Sequence, residues 1–137
     1  MSNELFWLTL TVIMTGLIWV PYILDRFATR GIMGTFANPM PDSLPPSAWA
    51  YRTKNAHANA VENLVVFAPL VLILQDLGIS TAATVTACAV FFWARLVHLV
   101  VYALGIPVVR TLAFLVGFGA QVVLALAILQ GSGATAG

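Results

Sequence analysis

Residues 55–63 read NAHANAVEN, and residues 64–74 read LVVFAPLVLIL. The second run is apolar enough to lie in a bilayer. The first sets Asn55, His57, Asn59, Glu62 and Asn63 where that helix enters the membrane. Hydrocarbon offers such groups no partner, so they face protein or a water-filled cavity. A chain that concentrates its polar side chains there builds a membrane bundle around them.

The composition agrees. The 137 residues are 61% hydrophobic and 8% charged, with a mean hydropathy of +0.96. A soluble domain carries about 25% charged residues, so a soluble globular class is excluded. A net charge of +1 without a Lys/Arg cluster excludes nucleic acid as a partner. The single cysteine, Cys88, allows no intramolecular disulfide and reads as a small buried hydrophobe. Two histidines and one cysteine, far apart in the chain, argue for no metal site. The start, MSNELFWLTLTVIMTG, holds Glu4 but no Lys or Arg. A cleaved signal peptide begins basic, so this segment reads as a retained span.

The expected fold is therefore all-α: one domain over 1–137, an integral membrane four-helix bundle. Its spans cover about 3–26, 48–76, 80–104 and 107–130 at roughly 20 or more residues each. Pro39, Pro41, Pro45 and Pro46 forbid a regular helix between spans one and two. Ser47 is the expected N-cap of span two, whose first turns project past the hydrocarbon. Pro69 is expected to kink that span. Gly105 followed by Pro107 reads as a stop and a restart, and the tail GSGATAG as flexible. Ala113 with Gly117, and Ala83 with Ala87, are small-residue pairs suited to helix packing.

Arg26, Arg30, Arg52 and Lys54 flank the first loop and Arg110 adjoins the third, while the other end holds Glu4 and Asp76. The bias of basic residues makes loops one and three cytoplasmic and both termini external in this multi-pass protein. Helical spacing gathers Arg52, Asn55, Asn59, Glu62 and Asn63 on one side of span two, with His57 and Lys54 pointing elsewhere. Arg95, His98 and Tyr102 share a face of span three. Arg110, Phe114, Gly117 and Gln121 share one on span four, and Thr15, Trp19, Tyr22 and Arg26 one on span one. Interfacial anchoring explains Lys54 and, singly, Trp19, Tyr22, Arg26 and Arg30. It does not explain Asn59, Glu62 and Arg95. A structural ion pair of Glu62 with Arg95 or Arg110 is one reading. A site for a small, mostly anionic ligand is the other: arginines suit carboxylates, Glu62 suits an ammonium, and Asn59 and His98 can donate or accept.

NAHANAVENLVVFAP in span two and RLVHLVVYALGIPVVRT across spans three and four carry a resemblance to the MAPEG family. These are membrane-associated proteins in eicosanoid and glutathione metabolism, including microsomal glutathione transferases and membrane prostaglandin E synthase. The combined pattern is Asn-x-x-Glu, then Arg-x-x-His-x-x-x-Tyr, then Arg-Thr. The resemblance implies a homotrimer that binds glutathione at subunit interfaces near the cytosolic face, with a lipophilic second substrate arriving through the membrane lipid. It implies that Asn59 and Glu62, with His98 and Tyr102, bind the tripeptide. Arg110 matches the arginine linked to the glutathione thiolate, with Thr111 in the place of a neighbouring hydroxyl and Tyr102 close by. Arg26 resembles the span-one arginine, and His57 holds the place of a residue that reaches into the neighbouring subunit's site. Relatives that use glutathione commonly have an arginine where this chain has Asn55; Arg52, one turn earlier, is the substitute on that face. Arg95 is expected to be structural or ion-paired. The implied activity is a glutathione transferase or peroxidase without a metal. The competing classes are a non-catalytic membrane module and a small transporter. The transporter is disfavoured because no acidic residue lies at mid-membrane and the spans show no inverted repeat.

Overall fold

The computed structural model describes residues 1–41 and 43–134, and it is helical throughout its regular structure. Five helices follow in order: α1 Asn3–Leu17, α2 Trp19–Phe36, α3 Ala48–Asp76, α4 Ala82–Leu104 and α5 Pro107–Ala134. Four helical units are long and apolar enough to cross a bilayer: Asn3–Phe36, Ala48–Asp76, Ala82–Leu104 and Pro107–Gly131. The chain is thus an all-α multi-pass membrane bundle.

The first unit differs from the expected single span of about 3–26. It breaks at Ile18, where the Ile18 amide donates to Thr15 O at 3.4 Å rather than to the carbonyl four residues back. Pro21 accounts for the break. It has no N–H for the Leu17 carbonyl, and its ring crowds that same carbonyl. Helix α2 then runs past Arg26 to Phe36, interrupted at Gly31, whose φ of 68° and ψ of 179° are non-helical. Arg30 therefore lies on a helix and not in a loop. From Ala37 to Ser47 the prolines hold the described residues out of regular structure, as expected.

Helix α3 starts at Ala48, as the sequence indicates, but its cap differs. The Ser47 hydroxyl caps nothing. The Ser47 amide instead donates to Asp25 Oδ2 at 3.0 Å, and Asp25 is buried. A carboxylate from α2 thus faces the positive end of the α3 dipole and pins the loop to the bundle. The helix is uninterrupted through Pro69. At 29 residues it is about 43 Å long, beyond a hydrocarbon core of about 30 Å.

The stop at Gly105 is as expected. Its φ of 79° is left-handed, and the Gly105 and Ile106 amides return to Tyr102 O and Val101 O. This closes α4 before Pro107 takes the first position of α5. Helix α5 runs to Ala134, so the first half of the supposedly flexible tail is helical; residues 135–137 lie outside the described residues.

The core lies between α3, α4 and α5, capped by α1. Phe67 and Phe91 stack with ring centroids 3.8 Å apart and planes 10° from parallel. Val71, Leu74, Cys88 and Leu124 close around them. Ala113, Gly117 and Ala120 are buried on the α5 face and let α4 approach closely. Ala87 is buried as a packing residue should be, while its partner Ala83 is exposed.

Two contacts set the ends of the bundle. Ser2 Oγ donates to Gln75 Oε1 at 2.7 Å, and Arg52 Nε to Ala103 O at 2.9 Å. The N-terminus and loop two therefore share one end, and loops one and three the other. At the former end Glu4 is buried, and its Oε1 accepts from Ser80 Oγ at 2.9 Å and Thr84 Oγ1 at 2.7 Å. Glu4→Ala removes this tie between α1 and α4. It is expected to lower stability in detergent by about 1–3 kcal/mol, read from the thermal unfolding midpoint against Glu4→Gln, which keeps an acceptor.

Candidate active site

The core axis of α3 runs through Thr53, Ala56, Ala60, Phe67, Val71 and Leu74, all buried. At about 100° per residue, Asn63, Arg52 and Asn59 stand roughly 60–100° to one side of that axis. Asn55 and Glu62 stand roughly 140–160° away from it, and His57 about 60° to the other side. The polar cluster is therefore divided among one flank, the opposite flank and the outward face.

On the first flank α3, α4 and α5 border an open recess of about 280 Å³ lined by Asn59, His98, Tyr102, Arg110, Thr111 and Phe114. Five of these are sequence-expected site residues. Phe114, named only as sharing the Arg110 face, joins them as an apolar wall. The Arg110 guanidinium lies 4.5 Å from the centre of the Tyr102 ring. That ring meets His98 edge to face at 5.5 Å. A guanidinium stacked on an aromatic face is held in one orientation, so the cation is placed before any ligand arrives. The Thr111 hydroxyl donates to Pro107 O at 3.1 Å.

Arg95 lies behind this pocket, only 3% exposed. Its Nη2 donates to Asn59 Oδ1 at 2.7 Å, while Nε and Nη1 have no partner among the described residues. The ion pair with Glu62 that one reading of the sequence allowed is absent among the described residues. Glu62 is exposed on the outward face of α3, whereas Arg95 points into the bundle. The helical geometry above explains the separation. Arg110 makes no ion pair among the described residues either. The pocket thus holds a fixed guanidinium, backed by a second, with no carboxylate among its lining residues.

Arg52 does not line this pocket. Its Nε serves the Ala103 carbonyl at the end of α4, and its side chain lies against Gly105, where an added Cβ would approach Arg52 Nε to 3.3 Å. Gly105→Ala combines left-handed strain of roughly 1–2 kcal/mol with displacement of Arg52. A drop of that size in detergent unfolding, larger than for Gly16→Ala in open space, is the expected result. Asn55, half-buried, makes no hydrogen bond among the described residues.

On the opposite flank Tyr22, Arg26, Arg30, Pro46, Ala50, Tyr51 and Lys54 line a separate cleft of about 260 Å³. The Tyr22 hydroxyl lies 2.9 Å from His57 Nδ1. Arg26 and His57 therefore belong to this side of the same chain, away from Arg110. Sequence reading did not anticipate the role of Asp25, because nothing in its neighbourhood signals that its carboxylate reaches Ser47 across 22 positions.

With this arrangement of one buried and one half-buried guanidinium, amide and stacked tyrosine in place, comparison with known families is informative. The model of the MAPEG family matches residues 5–130. The chain belongs to the MAPEG family. No curated protein matches it. A MAPEG protein has a role of the membrane glutathione transferase kind or a related one, for the family holds transferases and peroxidases as well as non-enzymes. In this MAPEG chain the residues resembling the family motif fall into two groups on opposite flanks of α3, with Glu62 between them on the outward face.

Proposed function

We propose that this MAPEG protein is a membrane glutathione transferase, with peroxidase chemistry as a variant, that ionises glutathione and delivers the thiolate to a lipophilic electrophile. The observation that carries the reading is the pocket of Asn59, His98, Tyr102, Arg110 and Thr111, a cationic recess with no lining carboxylate and a preoriented guanidinium. Thiolate, not thiol, is the nucleophile. A cation held in a partly water-excluded recess favours the charged sulfur. Tyr102 supplies the face that orients Arg110, and its hydroxyl adds a donor.

The two flanks of α3 support a homotrimer. In a closed ring each interface is head-to-tail, so one flank meets the other flank of the next subunit. Arg26 and His57 of one protomer then approach the Arg110 pocket of its neighbour, with the outward Glu62 and Asn55 at the seam. Glu62 there meets the ligand ammonium. The basic end, bearing loops one and three, faces the cytosol, from which glutathione enters, while the electrophile arrives from the lipid.

The decisive experiment is calorimetric titration of the detergent-purified protein with glutathione, followed by conjugation to an aryl halide. Binding with conjugation supports the transferase; binding without turnover of an aryl halide or a lipid hydroperoxide would leave a non-catalytic module. Because Glu62 is exposed on the isolated subunit, Glu62→Gln is expected to weaken glutathione about tenfold, or about 1.4 kcal/mol, without loss of assembly by native mass spectrometry. Unchanged affinity would remove Glu62 from the site.

A further inference from the structure

Asn59 enters the pocket with its amide oxygen already committed. Oδ1 accepts from Arg95 Nη2 at 2.7 Å and from Asn63 Nδ2 at 3.4 Å. An amide oxygen has two lone pairs, so these two donors satisfy it. The orientation does not depend on how the amide is assigned. A guanidinium has donors only, so a flipped amide would set NH2 against the N–H groups of a buried cation. Arg95 would then lose its hydrogen bond, with no carboxylate among the described residues to replace it. Asn63 is itself held, since Gln121 Nε2 donates to Asn63 O at 3.1 Å and Asn63 Nδ2 also donates to Asn59 O at 2.9 Å. The Asn59 amide oxygen is therefore held by Arg95 from α4 and by Asn63 from the next turn of α3, while Gln121 of α5 ties only the Asn63 backbone. Its Nδ2 makes no hydrogen bond among the described residues, and Asn59 lines the pocket.

We infer that Arg95 is a positioning residue that locks the Asn59 amide with Nδ2 toward the ligand, so that Asn59 recognises an acceptor, a carboxylate or peptide carbonyl, and never an ammonium. The sequence leaves Asn59 free to donate or accept; the buried arginine removes the second option. Arg95 does this through Asn59 and not by touching ligand. The ligand polarity follows: acceptor and thiolate groups lie in the recess of Asn59 and Arg110, and an ammonium has to lie outside it. The identity of the ligand rests on the glutathione reading, whereas the fixed amide does not.

The test has a ligand arm and a ligand-free arm, both on the full chain in detergent. Asn59→Asp keeps the acceptor facing Arg95, and so keeps the fold, but removes the donor. It is expected to weaken glutathione at least tenfold by calorimetry; wild-type affinity in this variant would overturn the inference. Arg95→Met is expected to weaken glutathione about tenfold in the wild type and to cost nothing further in Asn59→Ala. Additive losses would show that Arg95 acts independently of Asn59 and would also overturn it. In the ligand-free arm the protein is labelled with 15N-asparagine, and the Asn59 side-chain pair is identified by its disappearance in Asn59→Asp. That pair is expected to shift in Arg95→Met and to return toward its original position in Arg95→Lys, which restores a charged donor. An unmoved pair in Arg95→Met, or no recovery in Arg95→Lys, would overturn the lock. If wild-type protein fails to bind glutathione, the transferase reading falls, and the ligand-free arm still decides whether Arg95 fixes the amide.

Discussion

Arg110→Ala is expected to raise the thiol pKa of bound glutathione by about two units, with the bundle intact. A free thiol titrates near 8.5, so only a few per cent is ionised at neutral pH. A guanidinium beside the sulfur stabilises the charged form, which lowers the thiol pKa; removing it lets the value return upward. Two units correspond to about 2.7 kcal/mol of differential stabilisation, within reach of one well-placed cation in a partly dry recess. Conjugation near pH 7 should fall about 25-fold, as the ionised fraction drops from roughly three quarters to a few per cent, and recover as the pH rises through the free-thiol range. The measurement is thiolate ultraviolet absorbance of the complex across a pH series, with affinity followed separately. Tyr102→Leu should move the titration the same way, because it removes the face on which Arg110 stacks. Tyr102→Phe, which keeps the face, should move it less. A titration identical to wild type in Arg110→Ala would take Arg110 out of the chemistry.

Phe91→Ala is expected to be the most damaging core substitution, lowering stability by about 3–5 kcal/mol. Phe91 is 1% exposed and stacks on Phe67, which is fully buried. In a bilayer the expulsion of water contributes little between helices, so interdigitated packing carries the association. Removing the ring leaves a void between α3 and α4 that lipid does not reach. Phe91 precedes Arg95 by four residues, one turn on the same face of α4, so the void opens directly beneath the Arg95–Asn59 contact. Detergent unfolding should show a large loss for Phe91→Ala and for Phe67→Ala, and a small one for Trp93→Ala, whose ring is 55% exposed. Comparable losses at positions 91 and 93 would mean that the core is not centred on the stacked pair.

The candidate site was legible in part. Residue type and spacing on α4 and α5 named His98, Tyr102, Arg110 and Thr111, and Asn59 on α3, and these five meet in one pocket. An ion pair of Glu62 with Arg95 or Arg110, one of the two readings of the sequence, does not form among the described residues, because α3 turns Glu62 outward while α4 turns Arg95 inward. Arg52 was expected in the site and instead serves the end of α4. Asp25 went unnoticed, since its hydrogen bond spans two helices and a proline-rich loop.

What the sequence determined by itself are the properties that depend on one segment at a time. Hydropathy and length fixed four membrane units. Proline and glycine fixed the gap before α3 and the stop at Gly105, because missing N–H groups and a left-handed φ are local constraints. Charge distribution separated a basic end from an acidic one. The tertiary structure alone decided how the polar residues are shared out. Helical spacing places side chains around one axis, but which direction faces the core is set by the neighbouring helices. On α3 that direction passes through Ala56, Ala60 and Phe67. This leaves Asn59 and His57 on opposite flanks and Glu62 outside. It also sets a buried guanidinium against an amide oxygen, where only an oxygen can stand.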